Sequence, residues 1–402
     1  MRTGVAGFQS ERLKQLRLTF GITQTALAEM VGRAPGNISK WENGLQVPEA
    51  DAFQRLCEVF GVSENWLLEK QIVTSESTPF FFRSQVSATA NAREIAEVRL
   101  EWLQDISYKL QESLEFVAVN VPHLEESNCL LISDQEIERM ASECRQAWGL
   151  GVAPIPNVVQ VLENAGIICA RTTLGHLKMD GVSNWYELDQ RPYILLVADK
   201  ANGIRNRFDA AHELGHIVLH RYISKEQYES NYTLLESQAH RFASSFLMPA
   251  ESFVREIRWP TLDTLLALKP RWKVSVAAMI RRCLDLEIIN DTTTTRLWKA
   301  RSARGWVKGE PMDADFDFER PQLIARGVKI LVENKVLSRS QVRQLLGLPL
   351  PTLESLCSLD KGYFTLPDQS QVIEMHLRKR SGRDTFFSET AEILGFPSKK
   401  TP

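Results

Sequence analysis

Cysteine is sparse in this chain of 402 residues, and the few present follow no pattern. Cys57, Cys129, Cys144, Cys169, Cys283 and Cys357 form no C-x-x-C pair and no regular framework. That argues against a disulfide scaffold and a second zinc site, and favours reduced structural thiols. Long apolar runs are missing too. The opening Met1-Arg2-Thr3-Gly4 lacks the apolar core of a signal peptide, and no run approaches the roughly 20 residues that span a bilayer. The cytoplasm is the expected compartment, with no membrane partner. Charge of one sign is absent as well: 48 Lys and Arg against 50 Asp and Glu give a formal net charge of -2, which excludes a polyanion-coating role for the whole molecule. No G-x-G-x-x-G, P-loop or low-complexity repeat appears. The remainder is an ordinary globular composition, 44% hydrophobic, long enough for two to four domains with ample core.

Histidine is also scarce, seven in all, yet two fall in the run His212-Glu213-Leu214-Gly215-His216. On an α-helix, positions i and i+4 share a face, so both imidazoles can reach one ion while Glu213 points at a water in its open position. At this composition such a motif arises by chance roughly once in a hundred chains, so the flanks have to decide. Arg207 to Ala211 leads in without proline, and Ile217-Val218-Leu219 continues the apolar stripe, so the helix is unbroken. The chemistry implied is metal-assisted peptide hydrolysis; the plain alternative is a buried helix with two hydrogen-bonded histidines.

Leu235 to Pro249 supplies the other half of the site. Ala239, Phe242, Ala243, Phe246 and Leu247 recur at helical spacing and Pro249 stops the pattern, predicting a second helix that packs on the first, with Glu236 in its first turn. A catalytic zinc site takes three protein ligands and one open position, and His-His-Glu is an established set, so Glu236 is the expected third ligand of one Zn²⁺ per chain. Its position would also suit an acidic residue at a helix N-terminus. His220 lies about 12 Å along the helix from His212, too far to share an ion at about 2.1 Å from each nitrogen, and is expected as an outer hydrogen-bonding or packing residue. His240, one turn after Glu236, could replace it or hydrogen-bond a ligand. The third histidine of metzincins is absent.

The run from Arg207-Phe208-Asp209-Ala210-Ala211 through the His-Glu-Leu-Gly-His motif to Glu236-x-Gln238-Ala239-x-x-Phe242-Ala243 and Leu247-Met248-Pro249 resembles the ImmA/IrrE family of zinc metallo-endopeptidases. That family includes bacterial and phage regulators that relieve repression by cutting a partner repressor. The resemblance implies His212, His216 and Glu236 as ligands and Glu213 as general base. His240 departs from it, standing where the family usually has Asn or Asp.

At the N-terminus, Leu13, Leu16 and Phe20 form one apolar stripe, Gln24 to Gly32 reads as a short helix stopped by glycine, and Ala34 to Gly44 comes next with Ile38 and Trp41 inward and Asn37 and Lys40 outward. Two short helices joined by a tight turn are the requirement for a helix-turn-helix. Glu49 to Phe60 and Ser63 to Leu68 complete five helices. Residues 8 to 70 resemble the phage-repressor-like, or XRE-type, domain through Thr23-Gln24, Leu27-Ala28, Ile38-Ser39-x-Trp41-Glu42-x-Gly44 and Pro48. The resemblance implies that Gln24 contacts DNA near its helix start. Pro35 and Gly36 occupy positions that often read bases, so direct readout falls to Arg33, Asn37 and Lys40. A bundle used only for protein contacts is the alternative.

The expected organisation is a DNA-binding domain over 8–70, a linker over 71–90, a metallopeptidase domain over 91–260 and a helical C-terminal region over 261–402. Helices are expected over 91–118, Ser133 to Trp148 and Pro156 to Ala165, and strands at Ile167 to Ala170, Gly181 to Tyr186 and Tyr193 to Val197. An edge strand beside the zinc is expected to bind an extended peptide by strand addition. Lys269 to Ala278 and Arg301 to Trp306 resemble the segment C-terminal to the peptidase motif in longer family members. Ser338 to Leu356 faintly echoes the helix-turn-helix, with Pro349 and Pro351 against a second DNA reader, and the basic residues near 378 to 383 read as solvated. The fold class is therefore mainly α, with a small α+β zincin-like domain carrying a short sheet. The functional expectation is a DNA-binding transcriptional regulator, a homodimer, that binds a double-stranded operator and cleaves a repressor or antitoxin, or itself; a toxin partner is also expected. The alternative is a repressor or antitoxin-like regulator whose metallopeptidase-like domain senses a ligand or partner without proteolysis.

Overall fold

The apolar periodicities become helices at nearly every position they mark. The computed structural model describes residues 4–70, 79–84, 90–175, 179–199 and 202–366; most of the expected linker and the basic residues near 378 to 383 lie outside these. Five short helices open the chain: α1 (Ser10–Thr19), α2 (Gln24–Val31), α3 (Pro35–Glu42), α4 (Ala50–Phe60) and α5 (Glu64–Leu68). Thr23 caps α2 by accepting from the Ala26 amide, and Gly32, in the left-handed region, ends it. Leu13, Leu16, Leu27, Ile38, Trp41, Phe53 and Leu56 fill the bundle core.

Within residues 71–90, Phe81–Ser84 form a strand, β1. The long helix α6 (Ala90–Gln111) comes next, shorter than the 91–118 pattern suggested because residues 114–128 run in irregular backbone. Then come α7 (Asp134–Ala147), begun by a Ser133–Glu136 capping box, α8 (Val158–Asn164), β2 (Ile168–Thr172), β3 (Met179–Tyr186) and β4 (Arg191–Val197). The sheet order is β1-β3-β4-β2, antiparallel except for the β2/β4 pair.

Both faces of the sheet are covered, so its strands read as nearly continuous apolar runs. Alternation along β4 sorts them: Tyr193, Leu195 and Val197 join the core that holds α6 and the N-terminal bundle, while Ile194 and Leu196 join the core behind α9 (Gly203–Leu219). Helix α9 carries the histidine motif. Beyond it lie α10 (Lys225–Ser230), α11 (Tyr232–Leu247), α12 (Ala250–Glu256), α13 (Leu262–Trp272), α14 (Val276–Asp285) and α15 (Asp291–Ala303). Helices α16 (Leu323–Glu333), α17 (Arg339–Leu346) and α18 (Leu350–Leu356) then return to α6 and β2. The echo of a helix-turn-helix at Ser338 to Leu356 is thus two short helices, α17 and α18, with Gly347 ending the first; α17 packs on α6 and α18 on β2.

The N-terminal bundle shares its core with α6. Trp66 meets Trp102 edge to face at 5.8 Å, the buried Arg12 guanidinium stacks over Trp66 and pairs with Asp105 at 3.1 Å, and the Trp102 indole donates to Gln15. All six cysteines are buried and unbridged. Among the described residues no helix is long and apolar enough to cross a membrane.

Candidate metal centre and DNA-binding surface

Two helices build the centre, and their closeness depends on a residue without a side chain. A Cβ at Gly215 would stand 3.1 Å from both the Cα and the carbonyl oxygen of Ala239, so glycine lets α9 and α11 touch where the motif needs them to. Helix α11 begins at Tyr232, ahead of the expected Leu235, which places Glu236 beyond the first turn and against α9. Arg207 anchors the start of α9 by donating to the carbonyls of Ile155 and Pro156 and pairing with Glu319.

His212 and His216 face the same side, as i and i+4 residues should. His212 Nε2 lies 3.1 Å from His216 Nε2, and the Glu236 carboxylate lies 3.5 Å from the first and 3.1 Å from the second. For bonds of about 2.0–2.1 Å in a tetrahedral site, ligand atoms sit about 3.3–3.4 Å apart, so the two imidazole nitrogens and the Glu236 carboxylate, whose Oε2 faces His212 and Oε1 faces His216, have the spacing that a small divalent ion requires. Among the described residues, this is the one group of His, Cys, Asp and Glu that could hold a metal ion. Burial alone would raise the Glu236 pKa, but the His212 and His216 rings beside it outweigh that and hold the carboxyl well below its usual range.

Hydrogen bonds fix the His216 tautomer. The Gln238 amide donates to the carbonyls of Cys129 and Ile132, so its oxygen must accept, from His220 Nε2 at 3.0 Å. Nδ1 of a neutral His220 is then an acceptor, facing His216 Nδ1 at 2.9 Å. His216 therefore carries its proton on Nδ1 and presents a lone pair on Nε2 to the ion site. Burial, helped by His216, keeps His220 neutral by pushing its pKa well down. His220 thus hydrogen-bonds a residue of the candidate metal centre without joining it. His240 is exposed, its ring 5.8 Å from that of His212, and stands outside the ligand group.

Glu213 is fully buried and points at β3, where the Ser183 hydroxyl donates to its Oε2 at 2.6 Å. Gly181, two residues earlier on the strand, leaves the room: a Cβ there would lie 2.8 Å from Glu213 Oε1. The site opens on a cleft of about 660 Å³ lined by His212, Glu236 and His240 on one side and by Ser275, Ala278, Trp298 and Arg301 on the other. Ser275, Ala277 and Ala278 of the Lys269 to Ala278 run and Arg301 of the Arg301 to Trp306 run contribute to this lining. Glu310 ties them together: it pairs with the buried Lys269 and with Arg301, and accepts from the amides of Val276 and Ala277 at the start of α14.

The expected edge strand beside the zinc changes its identity. The strand next to the motif, β3, is not an edge, because β1 pairs antiparallel along its outer side, Phe81 opposite Ser183 and Arg83 opposite Gly181. Ser183, Gly181, Gln238 and Phe81 carry no spacing signal for a site role; Gln238 stands in the family-like run and Gly181 in an expected strand, but the partners that give them a part in the site come from elsewhere in the chain.

In the N-terminal bundle, Lys40 is exposed and Asn37 half-buried on α3, while Ile38 and Trp41 face the core. Arg33 pairs with Asp51 at 2.6 Å, and the Gln24 amide donates to Glu42, which also holds Arg17. Lys40 and Asn37 are thus the most available of the four expected DNA contacts.

A helix-turn-helix bundle and a two-helix metal centre under a small mixed sheet define a DNA-binding protein with a metallopeptidase-like domain. Comparison with known families gives the same division: residues 10–71 match a helix-turn-helix domain, and residues 163–284 match the IrrE N-terminal-like domain, a peptidase family. The chain is a fusion of an XRE-like helix-turn-helix with an ImmA/IrrE-like domain. No curated protein matches it.

Proposed function

We propose that this chain is a cytoplasmic, DNA-binding transcriptional regulator whose central domain is a zinc-dependent endopeptidase, acting on a partner repressor or antitoxin or on itself. The observation that carries the reading is the convergence of His212, His216 and Glu236 at zinc spacing, with the buried Glu213 on the same helix and with His212 and Glu236 lining a cleft. One zinc per chain, held by those three residues, would polarise the peptide carbonyl and make water acidic enough to react near neutral pH. Glu213 takes a proton from the attacking water as its oxygen bonds to the carbonyl carbon, and delivers it to the amine as the C–N bond breaks. Ser183 holds the carboxylate in place, and the Gln238–His220 pair keeps His216 in the ligating tautomer. Lys40 and Asn37, with Gln24 and Arg33 beside them, face a double-stranded operator, bound by a homodimer.

The test is a mass-spectrometric screen of a peptide library with the zinc-loaded chain and its Glu213→Gln variant. Zinc-dependent cleavage falling by about 10²-fold or more in the variant, with zinc still bound, supports the reading. Equal cleavage by both would overturn the role of Glu213.

A further inference from the structure

Strand β1 packs on the flank of the metal centre, against His216 and His220. Among the described residues its one strand partner is β3, the strand whose Gly181 and Ser183 meet Glu213, and the pairing is antiparallel with Arg83 opposite Gly181. Asp180 of β3, which falls between the Arg83–Gly181 and Ser84–Met179 pairs where the register shifts, lines the cleft. Phe81 lies flat on the ring of His216, 5.1 Å between centroids and 8° between planes, and packs against Tyr228. The next residue is gripped by its main chain: the Phe82 amide donates to the Tyr228 hydroxyl at 3.1 Å, and its carbonyl accepts from Tyr232 at 3.3 Å. Those two hydroxyls satisfy backbone groups that an edge strand turns outward, and they do so for any residue type.

We propose that the outer edge of β3 is the peptide-binding edge of the metal centre, that residues 79–84 occupy it in cis, and that it takes an extended polypeptide with an aromatic side chain two positions before the residue opposite Gly181. This rests on the peptidase reading for its purpose but not for its test. Main-chain pairing with β3 and the Tyr228 and Tyr232 hydroxyls give sequence-tolerant affinity, while the ring stacked on His216 gives selectivity. A partner must displace β1 to bind, so its apparent affinity falls by the fraction of time the edge is open.

The probe is a fluorescein-labelled synthetic peptide of residues 78–86, titrated by anisotropy into the full zinc-loaded chain carrying Glu213→Gln, so that binding is read without turnover. Adding Phe81→Ser and Phe82→Ser to the protein should tighten binding by about tenfold or more. A peptide with Ser in place of its Phe81 should lose that gain. Because the double substitution removes packing, a second measurement uses the chain with β1 intact: excess peptide should speed amide exchange at residues 79–84 while residues 181–185 stay protected. Equal binding with and without the two serines, together with unchanged exchange at 79–84, overturns the proposal and makes β1 a permanent strand. Peptide binding as expected, with no hydrolysis by any form carrying Glu213, leaves the docking edge standing and sinks the peptidase reading.

Discussion

Single residues decide whether three side chains near one another can hold an ion. His216 presents a lone pair to the site because Gln238, committed by its amide to two carbonyls, forces the orientation of His220. Gln238→Leu should therefore lower zinc affinity by about 10- to 100-fold, measured by competition with a chelator, with the helix content unchanged. Unaltered affinity would mean that the relay does not orient His216. His212 and His216 were legible as a pair because helical periodicity puts i and i+4 on one face, whereas Glu236, on another helix, was named from the chemistry of His-His-Glu sites and the family resemblance, and the fold brings it to them. Gln238 and Ser183 were not legible, since their roles depend on partners brought from Cys129, Ile132 and Glu213 by the fold.

At the scale of elements, α9 and α11 meet at Gly215, and β1 covers β3. Gly215→Val would push its methyl groups into the Ala239 backbone and the Phe242 ring; a loss of about 1–3 kcal/mol in urea denaturation and weaker zinc binding are expected. A second coupling links α8 to α16, where the buried Glu163 carboxylate accepts from the amides of Gln322 and Leu323. Burial raises its pKa to about 7, against the pull of those amides. The folded state then keeps a proton that the unfolded chain releases near pH 4.5, so this group's contribution to stability falls as pH rises from about 4.5 to 7. Glu163→Gln should flatten that part of the stability-versus-pH curve, by an amount on the order of 3 kcal/mol between the two ends. An unchanged curve would show that Glu163 titrates in its ordinary range. Most of these elements were legible from apolar spacing. Strand β1 was not, because Pro79 and three phenylalanines form no alternation, and only the open flank of β3 makes a strand of them.

For the whole molecule, the helix-turn-helix face and the candidate metal centre occupy separate surfaces on a shared frame. Trp66 and Trp102 join the helix-turn-helix to α6, while Asn37 and Lys40 stand on α3, which takes no part in that aromatic contact. Lys40→Ala with Asn37→Ala should weaken operator binding by about 1–3 kcal/mol per lost contact and leave zinc content intact, as read by gel shift and metal analysis. Wild-type binding by the double variant would move the DNA surface elsewhere. The central claim, a zinc peptidase with Glu213 as its base, is tested most directly by peptide-library cleavage. Four proteins at matched zinc content are compared: the native chain and the Phe81→Ser/Phe82→Ser variant, each with and without Glu213→Gln. Zinc-dependent cleavage that survives in the two forms keeping Glu213 and falls by about 10²-fold or more in the two Glu213→Gln forms is predicted. Cleavage equal with and without Glu213→Gln, or absent from all four proteins while each holds zinc, would contradict the account.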